Sequence, residues 1–431
     1  IYFDADTFGA DRVVRHQSPG LESWIPVDPA APPTAQAVAS FPIDEEARRQ
    51  IQSLYTGEAG RRFPDWKSWS GERLSYAALL ARVGVVHPQA LKYFDGIPAP
   101  LACVGIDAIP AAYAGYFGLP LPDGAKAAAD LGEPYIHHFP DGNASVARLL
   151  VRRLVPDALP GTTMEDVVTS RARYDRLDIE GAPTRLRLSS TVVRVAHDGP
   201  PATATQVEVI YVRHGRVERV RANRCVMACY NMVIPFLCPD VPASQGEALR
   251  KLVKSPLVYT NVALANWRAF EKLGIGAVYS PGRWHHYAYL DFPVSLGDYS
   301  YSSAPDQPIV VHMDWEPRRP GLPAPDQHRQ GRRTLLETKF EDIEREVRAH
   351  LAGMLGAGGF DPATDIAALT VNRWAHGYAA GDEEFAQGEA PHLVGRKPVG
   401  RITIANSDAG ARAYLDCAID EAWRAVNELP A

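Results

Sequence analysis

The chain has 431 residues, enough for two domains or one large domain with an insertion. An apolar fraction of 46% excludes a disordered polymer, and a net charge of −6 carries no electrostatic footprint for nucleic acid. Five cysteines in neither CxxC pairs nor an even set argue against structural zinc and a disulfide scaffold, and no apolar run reaches the roughly 18 residues of a membrane span.

The opening, IYFDADTFGADRVVRH, has no initiator Met, signal peptide or cleavage pattern, and reads as a sequence entered part-way. Residues 25–33 are Pro-rich and predict a surface wrap. Residues 43–55 and 74–83 read as helices, and 93–98 and 109–122 carry turns and aromatic side chains. A helix bearing Val146, Leu149, Leu150 and Leu154 begins after Asp141-Gly142-Asn143 and stops at Pro156. Strands are expected over 185–195, 205–212 and 216–222, with His214-Gly215 as a hairpin turn, and a buried strand over 223–229.

An aromatic-rich stretch, 259–315, and a Pro-rich loop, 317–325, follow. Leu336, Phe340, Ile343, Val347, Leu351 and Met354 predict one face of a single long helix. The last unit is a strand over 401–405, a Ser407-Asp408 helix cap, and a helix from Ala411. Its expected packed face is Ala411, Tyr414, Leu415, Ala418, Ile419, Ala422, Val426 and Leu429. A helix start after a strand concentrates N–H donors and suits a phosphate, a carbonyl oxygen or a reduced flavin; an ordinary well-capped packed helix has the same spacing. Mixed strands and helices argue for an α/β or α+β enzyme. No G-x-G-x-x-G is present, and the glycines at 353–359 follow a helix and read as its stop.

Four segments taken together, FPDGNAS (139–145), CVMACYNMVIPFL (225–237), NRWAHGY (372–378) and Gly400 to Leu429, resemble bacterial spermidine dehydrogenase and its FAD-dependent flavin amine oxidoreductase relatives. The resemblance implies an FAD/NAD(P)-binding, amine-oxidase-like two-domain fold, an α/β assembly with an α+β substrate domain. The family's N-terminal β-α-β unit, with its glycine fingerprint, is missing from this chain. Residues 1–135 and 241–370 then form substrate-domain and helical segments, and 136–240 and 371–431 form the FAD portion. By the same resemblance Val192 and Val193 lie on the adenine side, Ala228 beside the ADP portion, and Ser407 and Asp408 near the pyrophosphate and ribityl chain. Ala413 and Tyr414 lie at the helix start facing the flavin. For the valines, a strand-core role remains the plain alternative.

The implied activity is FAD-dependent oxidation of an amine, foremost a polyamine such as spermidine, by hydride transfer and imine hydrolysis. Trp374 and Tyr378 are candidate aromatic walls, with core packing as the alternative, and His376 is a polar contact or a satisfied structural histidine. Trp284 to Tyr289 form a second candidate wall. Asp298, Asp382, Glu383 and Glu384 are candidate acids for a polycation, with solvated surface as the alternative. The pairs His137-His138 and His285-His286 lack metal-site spacing. Two other readings stay open: a flavin-free fragment or non-catalytic subunit acting through another chain, and an L-amino-acid oxidase, for which Arg283 or Arg373 would anchor the carboxylate. The electron acceptor and the compartment are not legible.

Overall fold

A computed structural model describes residues 1–15, 33–69, 74–124, 138–291, 294–379, 381 and 390–430. Residues 25–32 of the Pro-rich wrap, His137, Asp382, Glu383 and Glu384 lie outside the described residues. Strands run in chain order: β1 (Tyr2–Phe3), β2 (Arg12–Val13), β3 (Ser190–His197), β4 (Val207–Arg213), β5 (Arg216–Ala222) and β6 (Cys225–Met227). They continue as β7 (Leu257–Leu264), β8 (Ala277–Tyr279), β9 (Tyr287–Leu290), β10 (Ile309–Trp315), β11 (Ile366–Trp374) and β12 (Ile402–Ile404). The chain divides into two interleaved units, one of residues 1–137, 255–293 and 301–377, the other of 138–254, 294–300 and 378–431. The main breaks fall at 137/138, 254/255 and 377/378, against expected boundaries at 135/136, 240/241 and 370/371.

In the first unit a five-stranded antiparallel sheet has the order β11-β7-β10-β9-β8. Alternation along each strand divides its residues between two faces. Val258 and Val262 of β7 and Val311 and Met313 of β10 share a buried apolar cluster with Ile343, Val347, Leu351 and Met354 of the helix Phe340–Leu355. The other face carries Tyr259, Asn261, Tyr287, Tyr289, His312 and Asp314, which sit opposite one another in the strand register. A separate cluster gathers the helices Glu45–Tyr55, Tyr76–Arg82 and Pro88–Asp95 around Ile51, Leu54, Leu79, Leu80 and Phe94. Among the described residues of 1–150, the only strands are the short antiparallel β1–β2 pair.

The second unit holds a three-stranded antiparallel sheet, β3-β4-β5, and a parallel pair, β12-β6. The β4–β5 turn is the expected one: His214 (φ 49°) and Gly215 (φ 75°) both lie at positive φ, as a two-residue hairpin of this hand requires. Val195, Met227, Ile234, Leu249, Ile402 and Ile404 form the core of this unit.

Three local expectations are corrected. The strand expected from 185 begins at Ser190, because Ser189 takes a positive φ of 53° that breaks extended geometry. The long helix from Leu336 is two, Ala324–Glu337 and Phe340–Leu355, separated by extended Thr338 and Lys339; Leu336 belongs to the first and is 84% exposed. The C-terminal helix runs from Leu415 to Asn427, not from Ala411, because Ala411 sits at φ 51° and closes a 3-10 turn over Ser407–Gly410.

The orientation of that helix is also corrected. Its buried residues are Cys417, Glu421 and Ala425, while Leu415, Ile419, Trp423 and Val426 are exposed, Trp423 at 74%. Glu421 explains the inversion: it faces inward to take Arg396 at 2.7 Å and Arg424 at 2.8 Å. The helix Asn143–Leu154 is inverted in the same way. Arg152 is buried on the carbonyls of Leu159, Pro160 and Thr163, and Leu150 and Leu154 face outward. Ile419→Lys is therefore expected to leave the melting temperature of the chain nearly unchanged, within about 0.5 kcal/mol. Ala425→Lys, which places a charge at a fully buried position, should cost several kcal/mol. Equal losses in thermal unfolding for both would show that the outward face is packed in solution.

Candidate functional site

Parallel strands deliver their loops to one end, and β6 and β12 do this in the second unit. The register Ile402↔Cys225 to Ile404↔Met227 brings Ala228-Cys229 and Asn406–Asp408 out at the same carboxyl edge, although they are far apart in the chain. Ala405 N–H extends the ladder to Met227 O at 3.0 Å. Asn406 clasps the two turns: its amide donates to Cys229 O and, at 3.3 Å, to Asn231 Oδ1, and accepts from Asp408 N–H at 2.6 Å. Asn406 does this at φ 116° and ψ 175°, a region that L-residues other than glycine rarely occupy, so the clasp holds strained backbone.

Beneath the clasp is a buried ion pair. Lys254 Nζ lies 2.5 Å from Asp408 Oδ1, with side-chain exposures of 4% and 2%. The other carboxylate oxygen, Oδ2, accepts from Asn231 N–H at 3.0 Å, so both oxygens are bonded. The Lys254 ammonium also lies 5.2 Å from the centre of the Tyr230 ring. Asp408 is thus a tie that joins three segments, not the helix cap expected from its place before a helix. Ser407 is half-buried in the same turn.

Ala413 and Tyr414 are exposed just ahead of the C-terminal helix, where Tyr414 is the N-cap and makes no side-chain cap bond. The first N–H groups of that helix therefore have no side-chain cap, with the positive end of the helix dipole behind them. Val192 and Val193 lie on β3, an edge strand, where the register slips between Val192 and Arg194 and leaves Val193 as the extra residue of a bulge. Both valines are partly exposed, at 37% and 45%, so neither is a core residue. The structure brings Ala228, Ser407 and Asp408 together.

Trp374 and His376 belong to the first unit, Tyr378 and Asp298 to the second. Trp374 ends β11, 49% exposed and opposite Leu257, on the polar face of the sheet. His376 and Tyr378 are half-buried. Asp298 is exposed in the tight turn between Leu296 and Tyr299, next to Gly297 at φ 58°. The second expected wall divides. Tyr287 and Tyr289 lie on the polar face, Trp284 stacks on Trp315 at 4.9 Å, and His285 is buried against Thr260 at 2.9 Å. Arg283 is committed to Glu346, 2.5 Å away, and Arg373 donates to Leu335 O at 3.4 Å.

No protein-family model matches the sequence, and a search of curated proteins finds no relative. The fold is similar to solved structures of putrescine oxidase. For the wild type bound to putrescine the TM-score is 0.45 at 14% identity, and for a mutant from a redesign of its cofactor binding 0.49 at 14% identity. It is similar also to cyclohexylamine oxidase from Brevibacterium oxydans IH-35A, with a TM-score of 0.45 at 13% identity. Each comparison covers 90% of this chain and 75% of the other. Likenesses this distant do not decide an activity, which rests on the residues.

Two further groups of residues lie outside the sequence motifs. Lys254 stood in no motif, and its partner lies at the far end of the chain. The end of β10 had a signal: His312, Asp314 and, one residue past the strand, Glu316 alternate with Val311, Met313 and Trp315, the period-two pattern of a strand with one polar face. On that face His312 Nε2 lies 2.9 Å from Asp314 Oδ1, and Asp314 and Glu316 are 6% and 2% exposed. The Glu316 carboxyl is pushed up to about 8, by burial first and by the charge of Asp314 second.

Proposed function

We propose that the chain is an FAD-dependent amine oxidoreductase acting on a polyamine such as spermidine. The carrying observation is the pair of clasped turns, Ala228-Cys229 and Asn406–Asp408, at the carboxyl ends of parallel strands, where open α/β sheets bind their ligands. The residues fit a flavin nucleotide. Ala228 and Ala413 are small and exposed, which permits close approach, and the uncapped helix start at Leu415 suits an electron-rich ring edge. A bound flavin would supply the acceptor for hydride from the carbon beside the amine nitrogen. The protein's part is to hold that nucleotide on a rigid turn, to present an aromatic face such as Tyr378 to the amine, and to exclude water from it.

A second reading is favoured by a specific observation. The outward apolar faces of the helices Asn143–Leu154 and Leu415–Asn427 suit a chain that acts only in association with another polypeptide segment. Titration with FAD separates the two. The first reading expects saturable quenching of flavin fluorescence, weakened at least about tenfold by Ala228→Trp, which fills the approach to the turn. A chain that stays colourless and takes up no FAD supports the second reading. Uptake unaffected by Ala228→Trp would remove the clasped turns from the nucleotide site.

A further inference from the structure

The nucleotide site uses two features of the second unit, the turn at 406–410 and the uncapped start of the helix Leu415–Asn427. The link between them, residues 412–414, is exposed, so its own packing does not hold one against the other. A buried carboxylate further along the helix does. Glu421, 7% exposed, accepts from Arg396 Nη1 at 2.7 Å through one oxygen and from Arg424 Nε at 2.8 Å through the other. Each arginine goes on to a backbone carbonyl beside the turn. Arg424 Nη2 donates to Ile404 O at 2.5 Å, ahead of the turn, and Arg396 Nη1 donates to Ala409 O at 3.4 Å, near its close. Arg424 Nη1 also donates to Arg396 O at 3.4 Å, which ties the two arginines to one another. Helix and turn are packed closely at this level: a Cβ at Gly410 would collide with Cys417 Sγ and lie 3.4 Å from Glu421 Cγ.

Resting on the nucleotide reading above, we propose that Glu421 is a positioning residue for that site, acting through Arg396 and Arg424 to fix the helix start against the turn. Both guanidiniums converge on this one carboxylate, so its loss releases both flanks of the turn together. Six residues of helix, about 9 Å, separate Glu421 from Leu415, and a helix is stiff over that length. A tilt at the level of Glu421 is therefore carried to the first N–H groups, which are the donors an anionic or electron-rich ligand would meet. Donors already held in place leave less ordering to be done on binding, which is where the affinity comes from.

The test uses the whole chain and four variants: Glu421→Gln, Gly410→Ala, Arg396→Met and Asp420→Asn. Gly410→Ala pushes the helix from the turn with every charge in place, and Asp420→Asn removes a charge from an exposed position of the same helix. Thermal unfolding shows which variants are folded at the temperature of measurement, and Gly410→Ala carries the comparison if Glu421→Gln is not. FAD affinity, read by quenching of flavin fluorescence, should fall at least about tenfold in Glu421→Gln and Gly410→Ala and less than about twofold in Asp420→Asn. Adding Arg396→Met to Glu421→Gln should cost little more, because the two act through one contact. Hydrogen exchange without FAD should rise in Glu421→Gln at residues 404–418 while β3, β4 and β5 keep the parent rate; a role in stability alone would raise it throughout the unit. Unchanged FAD affinity in folded Glu421→Gln, additive losses with Arg396→Met, or a uniform rise in exchange would overturn the proposal. If the parent chain takes up no FAD, the nucleotide reading falls and exchange alone decides. A rise confined to 404–418 then sustains the tie between helix and turn, and a uniform rise or none removes it.

Discussion

Lys254→Met is expected to destabilise the second unit by about 3–5 kcal/mol, the cost of leaving one member of a buried ion pair without its partner. The carboxylate left behind, Asp408, is 2% exposed and would keep one bond, from Asn231 N–H. The loss would fall on the clasp as well, since Asp408 N–H anchors the strained Asn406. Hydrogen exchange should therefore rise at residues 229–231 and 405–411 before the rest of the chain. Replacing both partners, Lys254→Met with Asp408→Asn, should recover much of the stability, because an uncharged amide is far cheaper to bury than a lone carboxylate. FAD affinity should stay low in the double variant if the clasp positions the nucleotide. A single variant as stable as the parent would mean that the pair does not tie these segments together.

The second large effect is on pH dependence, and it belongs to the first unit. Burial pushes His285 down to about 3, and burial with neighbouring positive charge holds His286 and His350 well below the ordinary histidine range. The unfolded chain takes up these protons near pH 6.5, while the folded chain refuses them. Their contribution is thus complete above pH 6.5 and is lost as pH falls toward 3, by about 1.4 kcal/mol per pH unit for each histidine. Glu316 has the opposite sign. Its folded value, about 8, is above the unfolded carboxyl, so its contribution is complete below about pH 4.5 and is lost as pH rises to 8. Melting temperature should peak near pH 6.5, fall steeply on the acid side and gently on the alkaline side. Glu316→Gln should flatten the alkaline limb and leave the acid limb in place. A profile flat from pH 5 to 8 would show that these groups are solvated.

The sequence alone determined a good deal. The β4–β5 hairpin, the helix ending before Pro156 and the closing strand were legible because each is set by local chemistry: two positive-φ residues in a turn, a proline stop, a β-rich run. The resemblance singled out Ala228, Ser407 and Asp408, and the parallel pair of β6 and β12 brings their turns to one edge. The alternation of His312, Asp314 and Glu316 was also written in the chain, but within an apolar, aromatic run it was overshadowed by its neighbours.

Only tertiary structure decided which way the amphipathic helices face. Periodicity locates an apolar stripe on the helix Leu415–Asn427; it does not say whether the stripe or the opposite face is inside. Here Glu421, with Arg396 and Arg424, claims the inside through specific ion pairs. The pairing of Lys254 with Asp408 was beyond the sequence for a related reason. Nothing local to either residue marks it, and the attraction exists only after β6 and β12 have been set side by side and water has been excluded from the turn.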